Sequence, residues 1–178
     1  MRLTDYLDKG ASLGPEAPCL TAAGRTLSYA DVQRLSWRVA RALDRSGIAP
    51  GDKVAILSAN DPVAFGCVFG ISRAGAVWCP VNPRNEAAEN RDLLDLFDCR
   101  CLIFQAAFAP LVARIQPGLP KLTTLVCLDG EPPDVGVRQR APGRGQAGCL
   151  RAQGGALVQV VGQAHAGSPS DGRSGWAP

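Results

Sequence analysis

The sequence predicts a doubly wound α/β fold with a mostly parallel sheet over residues 1–135, followed by a disordered tail over residues 136–178. Three observations predict it. Apolar strand-like runs alternate with helical runs through the first part, the order that builds parallel sheets. The links between them are short, and glycines or a Pro-Gly pair end most of the helices. From Gly136 onward the periodicity is lost: there are ten glycines, five arginines, five glutamines, no lysine and one acid, Asp171. Such a segment buries too little apolar surface to offset an ordering entropy of about 1–2 kcal/mol per residue.

The elements follow in order. Leu3 to Lys9 reads as a short helix ended by Gly10, and "APCLTAAGRTLS" as two short strands around an Ala-Gly-Arg turn. "SYADVQRLSWRVARALDRSG" is the clearest helix: Ser28 caps it and Asp31 stands at the capping-box position. Val32, Leu35, Val39 and Leu43 form its apolar stripe, and Gly47 ends it. "APGDKVAILSA" is a turn and a buried strand. Asp61 then caps a helix with Pro62 at its first position, where the missing N–H costs nothing. That helix, Val63 to Ala74, is apolar nearly all round and should lie between the sheet and a second layer. Gly66 and Gly70 let another backbone approach it closely. Gly75 stops it, "AVWCPV" is a buried strand, and Asn82-Pro83-Arg84 makes a stiff exit. A helix "EAAENRDLLDLF" carries acids in its first turn, favourable against the helix dipole. "CRCLIFQ" is a strand, "AFAPLVARIQPG" a helix stopped by Pro117-Gly118, and "LTTLVCLD" the last strand.

The tail holds one strand candidate, "ALVQVVG". Its Arg/Gly/Ala/Pro/Gln bias is read first as translation in a shifted frame, then as plain disorder, then as an arm that binds something acidic. The lone histidine, His165, falls there as an exposed bystander.

A net charge of +3 over 178 residues argues by itself for no nucleic-acid or membrane partner. "MRLTDYLDKG" lacks the apolar core of a secretion signal. The longest apolar run is short of the ~20 residues that span a bilayer, so no transmembrane segment is expected and the expected location is cytoplasmic. Seven cysteines, at 19, 67, 79, 99, 101, 127 and 149, sit mostly in apolar runs as reduced structural thiols. Cys99 and Cys101 would share one face of a strand, with the wrong spacing for a redox or zinc pair.

Three segments in one order carry a resemblance. Leu27-Ser28-Tyr29-Ala30-Asp31-Val32 resembles Leu-Ser/Thr-Tyr-x-Glu-Leu, with Asp for Glu and Val for the last Leu. "GIAPGDKVAILSAN" is similar to Gly-x-x-Pro-Gly-Asp-x-Val. "ISRAGAVWCPVNPR" is similar to Leu-Lys-Ala-Gly-Ala-x-x-x-Pro-Ile/Val-Asn/Asp-Pro, with Arg73 in place of the usual lysine. These are segments of the AMP-forming acyl-CoA synthetases of the adenylate-forming enzymes, and Asn82-Pro83-Arg84 leans toward long-chain fatty-acid–CoA ligases. The resemblance covers about Leu3 to Gly130. It implies an incomplete N-terminal subdomain of such an enzyme, with fatty acid, ATP, magnesium and CoA as the family's substrates and cofactors. Tyr29 is expected to pack at a helix start.

The resemblance also implies what this stretch lacks. The family holds phosphates with a Gly/Ser/Thr-rich loop followed by lysine, whose backbone N–H groups cradle the anion. Only Lys9, Lys53 and Lys121 occur here, and no tyrosine follows Tyr29. "GSPSDGRSG" is rich in glycine and serine but lacks threonine and a strand–helix frame. The expectation is therefore no catalytic, cofactor-binding or metal residue, no cofactor held tightly, and no ligation by these residues alone. A downstream-encoded remainder completing a split enzyme is one alternative. The other is a non-catalytic nucleotide-binding or scaffolding module, whose ligand would lie at Ser58-Ala59-Asn60 and Asn82-Pro83-Arg84 beyond the strand ends.

Three smaller features stand apart from these segments. Arg34, Arg38, Arg41 and Arg45 form a stripe opposite the apolar one, read as a solvated face ahead of an anion site for CoA phosphates or a membrane surface. Trp37 could stack on Arg41 one turn on, or cover part of an adjoining subdomain. Asp92, Asp95 and Asp98 read as a wet helix face rather than a metal site.

Overall fold

A computed structural model describes residues 2–129, 150–151 and 157–162. Helix α1 (Leu3–Leu13) leads into a hairpin of β1 (Pro18–Ala22) and β2 (Arg25–Ser28), and then α2 (Tyr29–Arg45). There follow β3 (Lys53–Leu57), α3 (Pro62–Arg73), β4 (Val77–Val81), α4 (Ala87–Leu96), β5 (Cys99–Phe104), α5 (Ala109–Ile115) and β6 (Thr124–Cys127). Two further strands, β7 (Leu150–Arg151) and β8 (Leu157–Gly162), complete the set. The sheet runs β4-β3-β5-β6-β8-β7. Its first four strands are mutually parallel; β8 joins β6 antiparallel and β7 joins β8 antiparallel. The α/β expectation holds, and Leu157–Gly162 is the strand that "ALVQVVG" suggested. Leu150–Arg151, expected as disordered tail, is a strand paired with β8 instead, and the remainder of the expected tail lies outside the described residues.

Two cores flank the sheet. On one face Val54, Ile56 and Ile103 pack with Leu35, Val39 and Leu43 of α2 and with Cys67 and Ile71 of α3. On the other, Ala55, Leu57, Leu102 and Phe104 pack with Leu94 of α4 and Val112 and Ile115 of α5. The second layer that α3 needed is α2. Local signals act as read. Asp31 N–H donates to Ser28 Oγ at 3.2 Å while Ser28 N–H donates to Asp31 Oδ2 at 3.1 Å. Asp61 Oδ1 accepts from Val63 and Ala64 N–H at 2.8 and 3.0 Å. The hairpin turns on Ala23 and Gly24, both at positive φ (50° and 74°), the two-residue turn whose twist suits antiparallel strands.

Three expectations are corrected, and the hairpin's place is settled. Gly10 does not end α1, which runs through it to Leu13. Its role is close approach: a Cβ there would stand 2.3 Å from Tyr29 Cε1, so α1 seats the start of α2 through a missing side chain. The hairpin is a separate two-stranded sheet and does not enter the main one. Strand β4 is an edge strand, with Val77 and Trp78 47% and 40% exposed, and an edge is where a sheet tolerates Pro80. Finally, Cys99 and Cys101 face opposite cores. Lys53 pairs with Cys99 but Val54 pairs with Cys101, so Arg100 is an extra residue that flips the alternation.

Candidate functional site

In an open parallel sheet the place to look is beyond the strand C-termini, where the strand order reverses. Here the chain winds from β3 to β4 on one side and returns to β5 on the other, so the reversal lies between β3 and β5. Gln105, directly after β5, occupies it. Its Oε1 accepts from Ser58 Oγ and from Ala59 N–H, both at 2.8 Å. One amide thus ties the loop after β3 to the loop after β5. Ala106 N–H donates to Asp129 Oδ1 at 2.7 Å, fastening the end of β6 to the same place. The sequence does not mark Gln105, since a glutamine after a strand carries no signal of its own. Gln105→Ala is expected to cost about 1 kcal/mol in urea unfolding. The loss is small because Ser58 Oγ also reaches its neighbour's carbonyl at 2.7 Å.

The open space is displaced toward β4. A cavity of about 620 Å³ is bounded by the hairpin (Leu20–Ala22), the loop Ser58–Pro62, Phe65 and Val68 of α3, and Trp78, Pro80 and Pro83. Its wall is largely apolar. Asp61 is already engaged by the α3 N-terminus and by Arg25 at 3.3 Å. Of the expected ligand loops, Ser58-Ala59-Asn60 lines the cavity and Asn82-Pro83-Arg84 contributes Pro83. Asn82 is structural: its Oδ1 accepts from Arg84 N–H at 3.0 Å, and its carbonyl accepts from Asn90 Nδ2 at 3.2 Å. Asn90 is fully buried.

Among the described residues, no cationic side chain lines this cavity. Lys53 opens β3 and Lys121 precedes β6, bonded to Asp98, so both stand at the opposite end of the sheet; Lys9 lies on α1. A triphosphate does not fit these surroundings. Asp92 pairs with Arg91 at 3.2 Å, and among the described residues no three His, Cys, Asp or Glu side chains converge on a metal-sized point. Cys67, Cys79, Cys99, Cys101 and Cys127 are buried free thiols. Burial pushes Cys67 up to about 12, and burial with the neighbouring Cys79 pushes Cys99 up to about 12. Thiols held protonated in this way are inert as nucleophiles. His165 and "GSPSDGRSG" lie outside the described residues.

Trp37 does not stack on Arg41. It carries Arg73, whose guanidinium sits 4.3 Å from the ring centroid. Arg73 Nε donates to Ser36 Oγ at 2.7 Å and Nη1 to Asp8 Oδ2 at 3.0 Å, and Nη2 also meets Asp8. The arginine that replaces a lysine thus clamps α1, α2 and α3 together.

The family described as AMP-binding enzyme matches residues 7–160, which extends past Gly130 and reaches into β8. The chain is 36% identical over 114 residues to the fatty acid–acyl-carrier-protein ligase ScoC of Streptomyces coeruleorubidus, covering 64% of this chain and 22% of that protein. It is 29% identical over 129 residues to the 3-oxocholest-4-en-26-oate–CoA ligase of Rhodococcus rhodochrous, covering 72% and 23%. Among solved structures it is similar to a Mycobacterium tuberculosis fatty acyl CoA synthetase, with a TM-score of 0.60 and 28% identity over 65% of this chain and 23% of that one. The chain therefore spans less than a quarter of the length of these relatives.

Proposed function

Because the chain belongs to the family of AMP-binding enzymes, we propose that these 178 residues supply the N-terminal part of a fatty-acid–CoA ligase. On this reading they do not activate a carboxylate unaided. The observation that carries the reading is the charge layout beyond the strand ends. Among the described residues no cation lines that cavity, Lys53 and Lys121 stand at the far end of the sheet, and Gln105 closes the reversal point. Transfer of AMP to a carboxylate needs the phosphate charge to be answered, so no step of that reaction is placed on these residues. Fatty acid, ATP, magnesium and CoA are substrates and cofactors of the completed enzyme. The remainder has a surface to meet: the free edge of β4, where Phe65 and Trp78 stack edge-to-face at 6.4 Å and Val77 is exposed. Buried, reduced thiols fit a cytoplasmic home. Among the described residues, no helix is long and apolar enough to cross a membrane.

ATP–pyrophosphate exchange with palmitate tests this. The purified chain is expected to show none. Co-expression with a polypeptide carrying the rest of such an enzyme is expected to restore it. Adenylate formed by the chain alone would overturn the proposal, and no gain on co-expression would reject completion in trans.

A further inference from the structure

Along the outer side of α2, against β2, runs a groove of about 660 Å³ lined by Arg25, Arg34, Arg38, Arg41, Trp37 and Asp31, among others. Four arginines thus face one aspartate. Asp31 is engaged by the Ser28 cap and by Arg34 at 2.5 Å, and Arg25 by Asp61 at 3.3 Å. Among the described residues, no carboxylate lies within ion-pair distance of Arg38 or Arg41, Asp44 included. Guanidinium groups three residues apart on a helix repel one another until an anion joins them.

A solvated helix face accounts for the arginines but not for the ring between them. Trp37, a large apolar side chain, is 49% exposed there. One side of the indole is held by Arg73, itself fixed by Asp8 and Ser36. The ring is therefore held from one side by Arg73, and it lines the groove. Guanidinium groups match phosphate oxygens in a fork, and a rigid indole offers a stacking surface for a flat ring.

We propose that this groove binds a nucleoside di- or triphosphate, its phosphates on Arg38 and Arg41 and its base on the free face of Trp37. The site is of modest affinity and separate from the cavity beyond the strand ends: the cavity touches β1, the groove β2. It does not rest on the ligase reading, because it needs no catalysis.

Calorimetry on the full 178-residue chain at low ionic strength, with ADP, adenosine and tripolyphosphate as probes, tests it. ADP is expected to bind more tightly than either of the others, and more weakly as salt is added. Arg38→Gln with Arg41→Gln is expected to weaken ADP by about tenfold or more. Trp37→Leu is expected to weaken ADP by about tenfold while leaving tripolyphosphate unchanged. Trp37→Phe, which keeps a ring over Arg73, should fall between wild type and leucine, and serves if the leucine variant does not fold. The urea midpoint of the arginine double variant should stay close to that of wild type, since Arg41 is exposed, Arg38 is half-buried and neither forms an ion pair among the described residues. No heat with ADP, unchanged ADP binding in the arginine double variant, or tripolyphosphate binding as tightly as ADP would each overturn the proposal.

Discussion

Asp8→Ala is expected to unfold at clearly lower urea than Arg73→Met, although each removes one end of the same ion pair. The asymmetry comes from burial. The Arg73 side chain is 6% exposed and that of Asp8 is 39% exposed. Removing Asp8 strands a guanidinium under α1 with only Ser36 Oγ and the Trp37 face for company. An unpaired buried charge costs about 3–5 kcal/mol. Water reaching the half-open site reduces this, and about 2–3 kcal/mol is expected. Arg73→Met instead fills the stem's volume and leaves Asp8 where water and Gln33, at 2.8 Å, can satisfy it. A cost of about 1 kcal/mol is expected there. If the two variants unfold at the same urea concentration, the clamp is a surface pair of little consequence.

The same pair sets a pH dependence. The Arg73 hydrogen bond, against desolvation and with help from Gln33 and the Arg73 charge, holds the Asp8 carboxyl below the usual carboxylate range. A depressed folded value adds stability above the unfolded value and loses it as pH falls through the folded one. The gap between wild type and Asp8→Ala should therefore be full at pH 7, begin to narrow at about pH 4, and close only once the pH has fallen below the depressed folded value.

Gly70→Ala is expected to destabilise by about 2 kcal/mol, whereas Gly66→Ala, one turn away on α3, is expected to be near neutral. Both gain about 1 kcal/mol of helix propensity. The neighbours decide the sign. A Cβ at Gly70 would stand 2.4 Å from Val39 Cβ and 3.0 Å from the Ser36 carbonyl oxygen. Neither a β-branched stem nor a backbone can turn aside, so α2 and α3 must part, at a cost of about 3 kcal/mol before the propensity gain. A Cβ at Gly66 would meet Leu35 Cδ2 at 2.6 Å, the free end of a side chain that can change rotamer. Val39→Ala in the Gly70→Ala background should recover part of the loss. Additive urea midpoints in that double variant would show that the two helices are not packed through this contact.

The close approach at Gly66 and Gly70 was legible because two small residues four apart in an apolar helix leave one bare stripe. The caps at Ser28 and Asp61 were legible for a similar reason, since a cap involves residues within one turn. Gly10 misled because a glycine near a helix end reads as a stop, and only the tertiary position of Tyr29 reveals a contact. Cys99 and Cys101 misled because alternation assumes a regular strand, and the extra residue at Arg100 exists only in the pairing with β3. The Asp8–Arg73 clamp joins residues 65 apart and had no signal at all. Likewise, a solvated arginine stripe and an arginine groove have one sequence; Arg25 from the hairpin and the pinning of Trp37 distinguish them.

By itself the sequence determined the elements, their alternation and their caps, together with the three segments by which the family is known. These rest on interactions among residues within a turn or two of one another, where spacing along the chain is spacing in space. The tertiary structure alone decided that β4 is an open edge, that Gln105 closes the reversal between β3 and β5, and which charges are buried with which. Those outcomes depend on strand order and helix docking, which bring together groups that the linear chain holds far apart.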